Sequence, residues 1–211
     1  MKIQAKTLTG LRAATIILTS LAIASCSKEP AEPLLFDVDS RATNNTQEGW
    51  TAVNLDNING VTFTSVGGLV IDQRDRGTEN TDGEGDTANN DMWRDFIFAD
   101  ERRSSPLSTG ERGMDIVITG LESDTVYDVR LWAFDEHSGG RNMTWNGNAL
   151  SLPHSPDPAS LDDQVVTFQA TSDDEGTLTL EGRIGNPQGP CCNVFVNGFE
   201  LTEADYRLWF D

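Results

Sequence analysis

Alternating apolar runs separated by polar turns constrain the fold of this chain most strongly. The segment Gly113–Thr119 alternates cleanly, with Ile116 and Ile118 pointing to one side. A tight turn over residues 120–124 separates it from a longer run, Thr125–Phe134. Successive residues of a strand point to opposite faces of a sheet, so such runs predict half-buried β-strands. The sequence therefore indicates an antiparallel sheet that buries one face.

The longer run has two chemically different faces. Tyr127, Val129 and Leu131 share one of them, and we expect this face to be buried against Ile116 and Ile118 on the neighbouring strand. The other face carries Asp128, Arg130, Trp132 and Phe134.

Similar short runs occur along most of the chain. The remaining predicted strands cover 34–39, 49–53, 60–65, 69–71, 92–98, 143–146, 164–170, 176–184 and 192–201. A polar stretch, 72–91, is predicted to be a long loop. Many short strands with frequent turns are typical of an all-β fold, here an antiparallel jelly-roll β-sandwich.

The N-terminus has the features of a lipoprotein signal peptide. A basic start is followed by an apolar run, and the ending Ile23–Cys26 resembles a bacterial lipobox. We therefore predict a signal peptide at 1–25, a lipid-modified Cys26, a polar tether at 26–33 and one domain at 34–211. The expected location is the bacterial cell envelope, at the outer membrane or cell surface, with membrane contact through the lipid anchor only.

The charge of the chain argues against nucleic acid as a partner. The sequence has 15 basic and 34 acidic residues. Lys2, Lys6 and Arg12 lie in the predicted signal peptide, which leaves a net charge of −22 on the mature chain. Phosphate backbones are bound through Lys and Arg, so such a chain favours cations and neutral partners instead.

Catalytic motifs are not evident in the sequence. The two histidines, His137 and His154, lie in predicted loops, and neither a nucleophile elbow, a P-loop nor a zinc-protease helix occurs. We therefore predict a protein that is not an enzyme. The enzymatic alternative is a polysaccharide-active site around His137, with Asp135, Glu136 and Arg141.

No cofactor is predicted with certainty, but a structural calcium ion is an alternative. The loop Asp82–Asp86, with Asp91 beyond it, offers alternating oxygen ligands. A second arrangement would use Asp37 or Asp39 together with Glu200. The neighbouring Cys191 and Cys192 would form either a strained vicinal disulfide or two free thiols.

The segment from Trp132 to Asn146 has the composition of a carbohydrate site. Sugars are held by flat aromatic rings and by polar side chains that bind hydroxyl groups. Trp132 and Trp145 would be the stacking platforms, and Asp135, Arg141 and Asn146 the polar partners. The alternative is that both tryptophans belong to the core.

The order of several motifs resembles galactose-binding-like β-sandwich modules. These motifs are Gln47–Thr51, Arg74–Gly77, Arg94–Phe96, Gly120–Leu121, Tyr127–Val129 and Val196–Leu201. The sequence is similar to malectin-like and carbohydrate-binding modules of bacterial secreted proteins, which implies a jelly-roll sandwich and glycan binding. We therefore expect a lipoprotein with a non-catalytic carbohydrate-binding domain. The alternatives are a structural or protein-interaction sandwich and, third, a polysaccharide-active enzyme.

Overall fold

The described part of the chain is built from strands. The computed structural model describes residues 31–39, 46–75, 92–93, 95–100, 111–135, 141–152, 162–184 and 193–204, with the backbone alone for Arg141 and Leu152. Thirteen strands lie in these ranges. They are β1 Leu34–Val38, β2 Thr51–Val53, β3 Val61–Val66, β4 Val70–Asp75, β5 Asp95–Asp100, β6 Gly113–Ile118, β7 Val126–Trp132, β8 Arg141–Trp145, β9 Asn148–Leu152, β10 Val165–Thr171, β11 Leu178–Ile184, β12 Asn193–Val196 and β13 Gly198–Glu203.

The first sheet, which we call sheet 1, has the strand order β10-β7-β13-β1-β2. Its neighbouring strands are antiparallel, except that β1 and β2 run parallel. Leu131 of β7 lies opposite Val166 of β10 on one side and Phe199 of β13 on the other. Strand β7 is therefore held by ladders on both edges.

Two further sheets complete the fold. Sheet 2 has the order β3-β6-β11-β8-β9, and sheet 3 has the order β12-β5-β4. The chain passes from sheet 2 to sheet 3 through a tight turn at Gly67 and Gly68, whose φ angles are 71° and 77°. Glycine adopts this left-handed conformation without a Cβ clash, which explains both residues at the turn.

One hydrophobic core joins the three sheets and makes the fold a β-sandwich, as predicted. Sheet 1 contributes Val129 and Leu131, sheet 2 contributes Ile116 and Leu180, and sheet 3 contributes Phe96, among others. All these side chains are buried. Removal of this apolar surface from water is the main stabilising contribution to the domain.

The predicted inward face of β7 is confirmed, but its expected neighbour is wrong. Tyr127, Val129 and Leu131 are between 0 and 3% exposed. Strand β7 pairs with β10 and β13, whereas β6 pairs with β3 and β11. Ile116 and Ile118 therefore reach the same core from sheet 2, because β6 and β7 belong to different sheets joined by the turn at 120–124.

The strand predicted over residues 192–201 is interrupted at Asn197. This residue is fully buried between β12 and β13. Its side-chain oxygen accepts a hydrogen bond from the Phe134 backbone N–H at 2.6 Å, and its amide nitrogen donates to the Asp95 carbonyl at 3.0 Å. Asn197 therefore connects three separate chain segments at the point where the chain leaves sheet 3 for sheet 1.

Candidate functional site

Trp132 lies in a second, aromatic cluster rather than on the surface. This aromatic cluster consists of the buried residues Met92, Trp93, Trp132 and Phe134, with Trp50 and Val165 packed against it. The rings of Trp50 and Trp132 are 5.4 Å apart in an edge-to-face arrangement. Because its side chain is 0% exposed, Trp132 offers no ring face to a sugar.

Trp145 is also fully buried, but in the main core. It ends β8 and pairs with Gly182 of β11. A Cβ atom added to Gly182 would lie 2.8 Å from Cη2 of Trp145, so the indole covers this glycine directly. The prediction that Trp132 and Trp145 are stacking platforms is therefore wrong. Both rings are fully buried, Trp132 in the aromatic cluster and Trp145 in the main core.

The polar members of the predicted site are spread over the fold. Asp135 follows β7 and is 1% exposed, while Asn146 lies in the turn after β8. The backbone N–H of Asn146 donates to the Glu181 carbonyl at 2.9 Å, and its side chain accepts from the Glu181 N–H at 2.8 Å. Arg141 begins β8, so roughly 16 Å of strand separates it from Asn146. The five predicted residues thus do not meet on one surface.

The outer face of sheet 1 instead carries a group of polar side chains that sequence reasoning did not assemble. Their positions follow from the register, in which Thr167, Arg130 and Glu200 form one row and Gln169, Asp128 and Thr202 form the next. We call this group the polar face; it consists of Asp128, Arg130, Thr167, Gln169, Glu200 and Thr202. Asp128, Thr167 and Gln169 are exposed, and Arg130, Glu200 and Thr202 are half-buried.

Hydrogen bonds and ion pairs hold five of these six side chains, all except Thr167, in place. The amide nitrogen of Gln169 donates to Asp128 at 2.8 Å, and the Thr202 hydroxyl donates to Glu200 at 3.3 Å. Arg130 contacts Glu200 at 3.5 Å and donates a shorter hydrogen bond, 3.0 Å, to Asp162 outside this group. Groups that are already oriented lose less rotamer freedom when a ligand binds, so this arrangement favours recognition of a polar ligand.

The aromatic cluster borders the polar face at one end. The next row of the same sheet face is Val165, Trp132, Gly198 and Asp37. The guanidinium carbon of Arg130 lies 4.9 Å from the centre of the Trp132 ring, a distance suited to a cation–π contact. The arginine is thereby fixed between the aromatic cluster and the polar rows.

The sequence contains one indication of the polar face, which is a pair of polar residues, two positions apart, in each of three strands. Asp128 and Arg130 of β7, Thr167 and Gln169 of β10, and Glu200 and Thr202 of β13 each stand two residues apart. The pattern is visible in the sequence, but it does not show which strands are neighbours. The order β10-β7-β13 supplies the missing information.

The outer side of sheet 2 is dominated by charge pairing. Arg183 contacts Asp115, Glu111 at 3.5 Å and Glu181 at 3.6 Å. Burial lowers the pKa of the Arg183 guanidinium, but the hydrogen bond and charge of Asp115 outweigh this effect and leave the pKa raised. The guanidinium is charged and already engaged with carboxylates, so this surface favours no anionic ligand.

The residues of the calcium alternative are only partly described. Among the described residues, no group of three or more His, Cys, Asp or Glu side chains is arranged to hold a metal ion. Asp37 accepts a hydrogen bond from the Gln47 backbone N–H at 2.5 Å, and Glu200 lies against Arg130. The loop over 82–91 lies outside the described residues, as do Cys26, His137, His154, Cys191 and Cys192.

Comparison with known proteins gives distant structural likenesses alone. No known protein-family profile and no curated protein sequence matches the chain. One similar solved structure is the plant receptor-like kinase FER, with 13% sequence identity and a TM-score of 0.45; the match covers 83% of this chain and 43% of that one. Another is the ANXUR2 extracellular domain of Arabidopsis thaliana, with 10% identity and a TM-score of 0.45; the match covers 82% of this chain and 41% of that one. A third is a β-glucuronidase of Bacteroides uniformis, with 13% identity and a TM-score of 0.43; the match covers 82% of this chain and 18% of that one.

The chain therefore spans less than half the length of each of these structures. At such identities and TM-scores the likeness carries no information about function.

Proposed function

We propose that this chain is a non-catalytic, carbohydrate-binding β-sandwich domain of a bacterial envelope lipoprotein, and that its polar face binds the glycan. The observation that carries the proposal is the register of β10, β7 and β13, which sets amide, hydroxyl, carboxylate and guanidinium groups side by side. Neighbouring strands lie about 4.8 Å apart, and side chains two residues apart on one strand lie about 6.7 Å apart. These spacings are comparable with the size of one sugar ring.

The chemistry of the polar face suits a neutral glycan. Asp128 and Glu200 accept hydrogen bonds from hydroxyl groups, Arg130 donates them, and the amide of Gln169 does both. With two carboxylates and one guanidinium, the face repels polyanions, and the net charge of the chain adds to this repulsion.

Isothermal titration with a panel of neutral polysaccharides tests the proposal. We expect the chain without its signal peptide to bind at least one of them. In the double variant Asp128→Ala, Gln169→Ala, the loss of two hydrogen-bonding side chains at about 1 kcal/mol each should weaken binding about thirtyfold. The matched control is Thr179→Ala, which removes an exposed side chain on β11 of sheet 2 and should leave the affinity unchanged.

Two results would contradict the proposal. Equal affinities of the double variant and the wild type would show that a glycan binds elsewhere. A wild type that binds nothing across the panel would make the structural or protein-interaction sandwich the better account.

The envelope location rests on the lipobox ending at Cys26. We expect Cys26→Ala to release the protein from membranes into the soluble fraction, and the wild-type mass to include the acyl groups. The control is Ser27→Ala, which leaves the cysteine in place. A Cys26→Ala protein that still sediments with membranes, with no lipid on the wild type, would refute the anchor.

A further inference from the structure

Of the four tryptophans that the structure describes, Trp50 alone reaches solvent. Its side chain is half-buried, whereas those of Trp93, Trp132 and Trp145 are at most 2% exposed. A flat aromatic ring beside polar groups suits a sugar, because the ring packs against C–H groups while the polar side chains bind hydroxyl groups. Trp50 therefore has the accessibility that Trp132 and Trp145 lack.

The indole of Trp50 lies on the outer face of sheet 1, over Gly198. A Cβ atom built on Gly198 would lie 3.3 Å from Cζ3 of Trp50, so a side chain at this position would meet the ring. Gly198 shares the outer face of β13 with Glu200 and Thr202, two members of the polar face. Residues two positions apart on a strand are separated by about 6.7 Å. The ring therefore stands one row from Glu200 and two rows, about 13 Å, from Thr202.

Hydrogen bonds and a ring contact fix Trp50 in this position. Its backbone N–H donates to the Gln47 carbonyl at 3.0 Å and closes a tight turn, in which Gly49 has a φ angle of 84°. The Gln47 N–H in turn donates to the carboxylate of Asp37 on β1 at 2.5 Å. The indole meets that of Trp132 edge to face at 5.4 Å. A ring that is already held loses little freedom when a ligand binds, which favours affinity.

We propose that Trp50 is the sugar-stacking residue beside the polar face, and that it selects pyranose units with equatorial substituents. This inference rests on the proposed glycan function and adds an apolar contact to it. Equatorial substituents leave axial C–H groups on both faces of a pyranose ring, and these groups pack against an indole. With Trp50 at one end and Asp128 and Gln169 at the other, the site extends over three rows of sheet 1. It therefore takes a short linear segment of a neutral glycan rather than a single sugar.

Isothermal titration of residues 26–211 with the neutral glycan that binds best tests the stacking role. Trp50→Leu keeps an apolar side chain over Gly198 but removes the ring, so the affinity should fall about five- to tenfold. Trp50→Phe keeps an aromatic ring and should lose about threefold or less. The matched control is Phe63→Leu, which removes a half-buried ring on β3 of sheet 2 and should leave the affinity unchanged. Denaturant unfolding of each variant confirms that it is folded during the titration.

The indole N–H signal of Trp50 in the NMR spectrum of the wild type gives a second readout, which no loss of stability in a variant affects. We expect this signal to shift when the glycan is added. The indole signal of Trp145, which is buried in the main core, should stay unchanged. A ring that only packs against the aromatic cluster would not respond to the ligand.

The choice of sugar is tested with two neutral oligosaccharides of equal length. One consists of β-1,4-linked glucopyranose units, and the other of fructofuranose units, which have no pyranose face. We expect the glucopyranose chain to bind at least about fivefold more tightly, and Trp50→Leu to reduce this difference.

Four outcomes would overturn the inference, and they separate it from the proposed function. Equal affinities of Trp50→Leu and the wild type, with an unshifted Trp50 indole, would refute the stacking role and leave the polar face in place. A preference for fructofuranose would refute the choice of sugar alone. A weaker Trp50→Leu with an unaffected Asp128→Ala, Gln169→Ala double variant would remove the polar rows, and with them the extended site. A wild type that binds no glycan would overturn both proposals.

Discussion

Gly182→Ala tests the packing of sheet 2 against sheet 3 and the placement of Trp145. Gly182 lies on β11, opposite Trp145 of β8. A Cβ atom built there would lie 2.6 Å from Cγ1 of Val194 and 2.8 and 2.9 Å from two ring carbons of Trp145. Trp145 and Val194 are fully buried, so neither can turn away into solvent. The added methyl group must force the two sheets apart.

The expected magnitude follows from two opposing effects. Overpacking of a filled core costs about 1–3 kcal/mol, and three overlaps with fixed atoms favour the upper half of this range. Against this, replacing glycine stabilises by about 0.4–1 kcal/mol, because the unfolded chain loses freedom. We therefore expect a net loss of about 2 kcal/mol in the free energy of unfolding, or about 4–8 °C in Tm.

Denaturant unfolding of the variant checks this value, and a second substitution checks its cause. Val194→Ala removes the atom nearest to the new methyl group. The loss in free energy of unfolding of the double variant should therefore be smaller than the sum of the two single-variant losses by at least about 1 kcal/mol. The control Thr179→Ala, on an exposed position of β11, should stay within about 0.5 kcal/mol of the wild type. A neutral or stabilising Gly182→Ala would refute the close packing of Trp145 and Val194 against this glycine.

Two further changes test the core and the strand junction. Leu131→Ala, at a fully buried position of β7, should cost about 2–5 kcal/mol in denaturant unfolding, and a loss below about 0.5 kcal/mol would reverse the faces of this strand. Asn197→Ala leaves the Phe134 N–H and the Asp95 carbonyl without their side-chain partner, so we expect a loss of about 2–4 kcal/mol in the same assay. An Asn197→Ala variant as stable as the wild type would show that the two hydrogen bonds contribute nothing.

The sequence predicts the inward face of β7 because its alternation is unbroken. Tyr127, Val129 and Leu131 follow a period of two, and the structure buries them as expected. The same period does not show that Trp132 on the other face is buried as well. The ring of Trp50, which is distant in sequence, packs against it, and periodicity contains no information about such contacts.

Two other features of the fold are not predicted correctly from the sequence, and the reason differs between them. The pair Asn197-Gly198 is a turn signal inside the strand predicted over 192–201, and the surrounding apolar residues obscured it. The predicted loop at 72–91 begins too early, since β4 continues to Asp75 through its pairing with β5. Residues 72–75 are polar, yet their pairing with β5 keeps them in a strand, because strand formation depends more on neighbouring strands than on local composition.

The composition of a segment does not show which of its residues lie close together in the fold, so the sequence predicts the wrong position for the candidate site. Trp132 and Trp145 are close in sequence, yet one belongs to sheet 1 and the other to sheet 2. The polar face contains residues that are up to about seventy positions apart in the sequence, such as Arg130 and Glu200. Only the strand order brings these residues together.

The most direct test of glycan binding at the polar face is an NMR titration of ¹⁵N-labelled residues 26–211 with the neutral glycan that binds best in the panel. We expect the shifted amides to lie on β7, β10 and β13, centred on Asp128, Arg130, Gln169 and Thr202. Shifts confined to sheet 2 or to the turn at Asn146, with the polar face unchanged, would contradict this expectation.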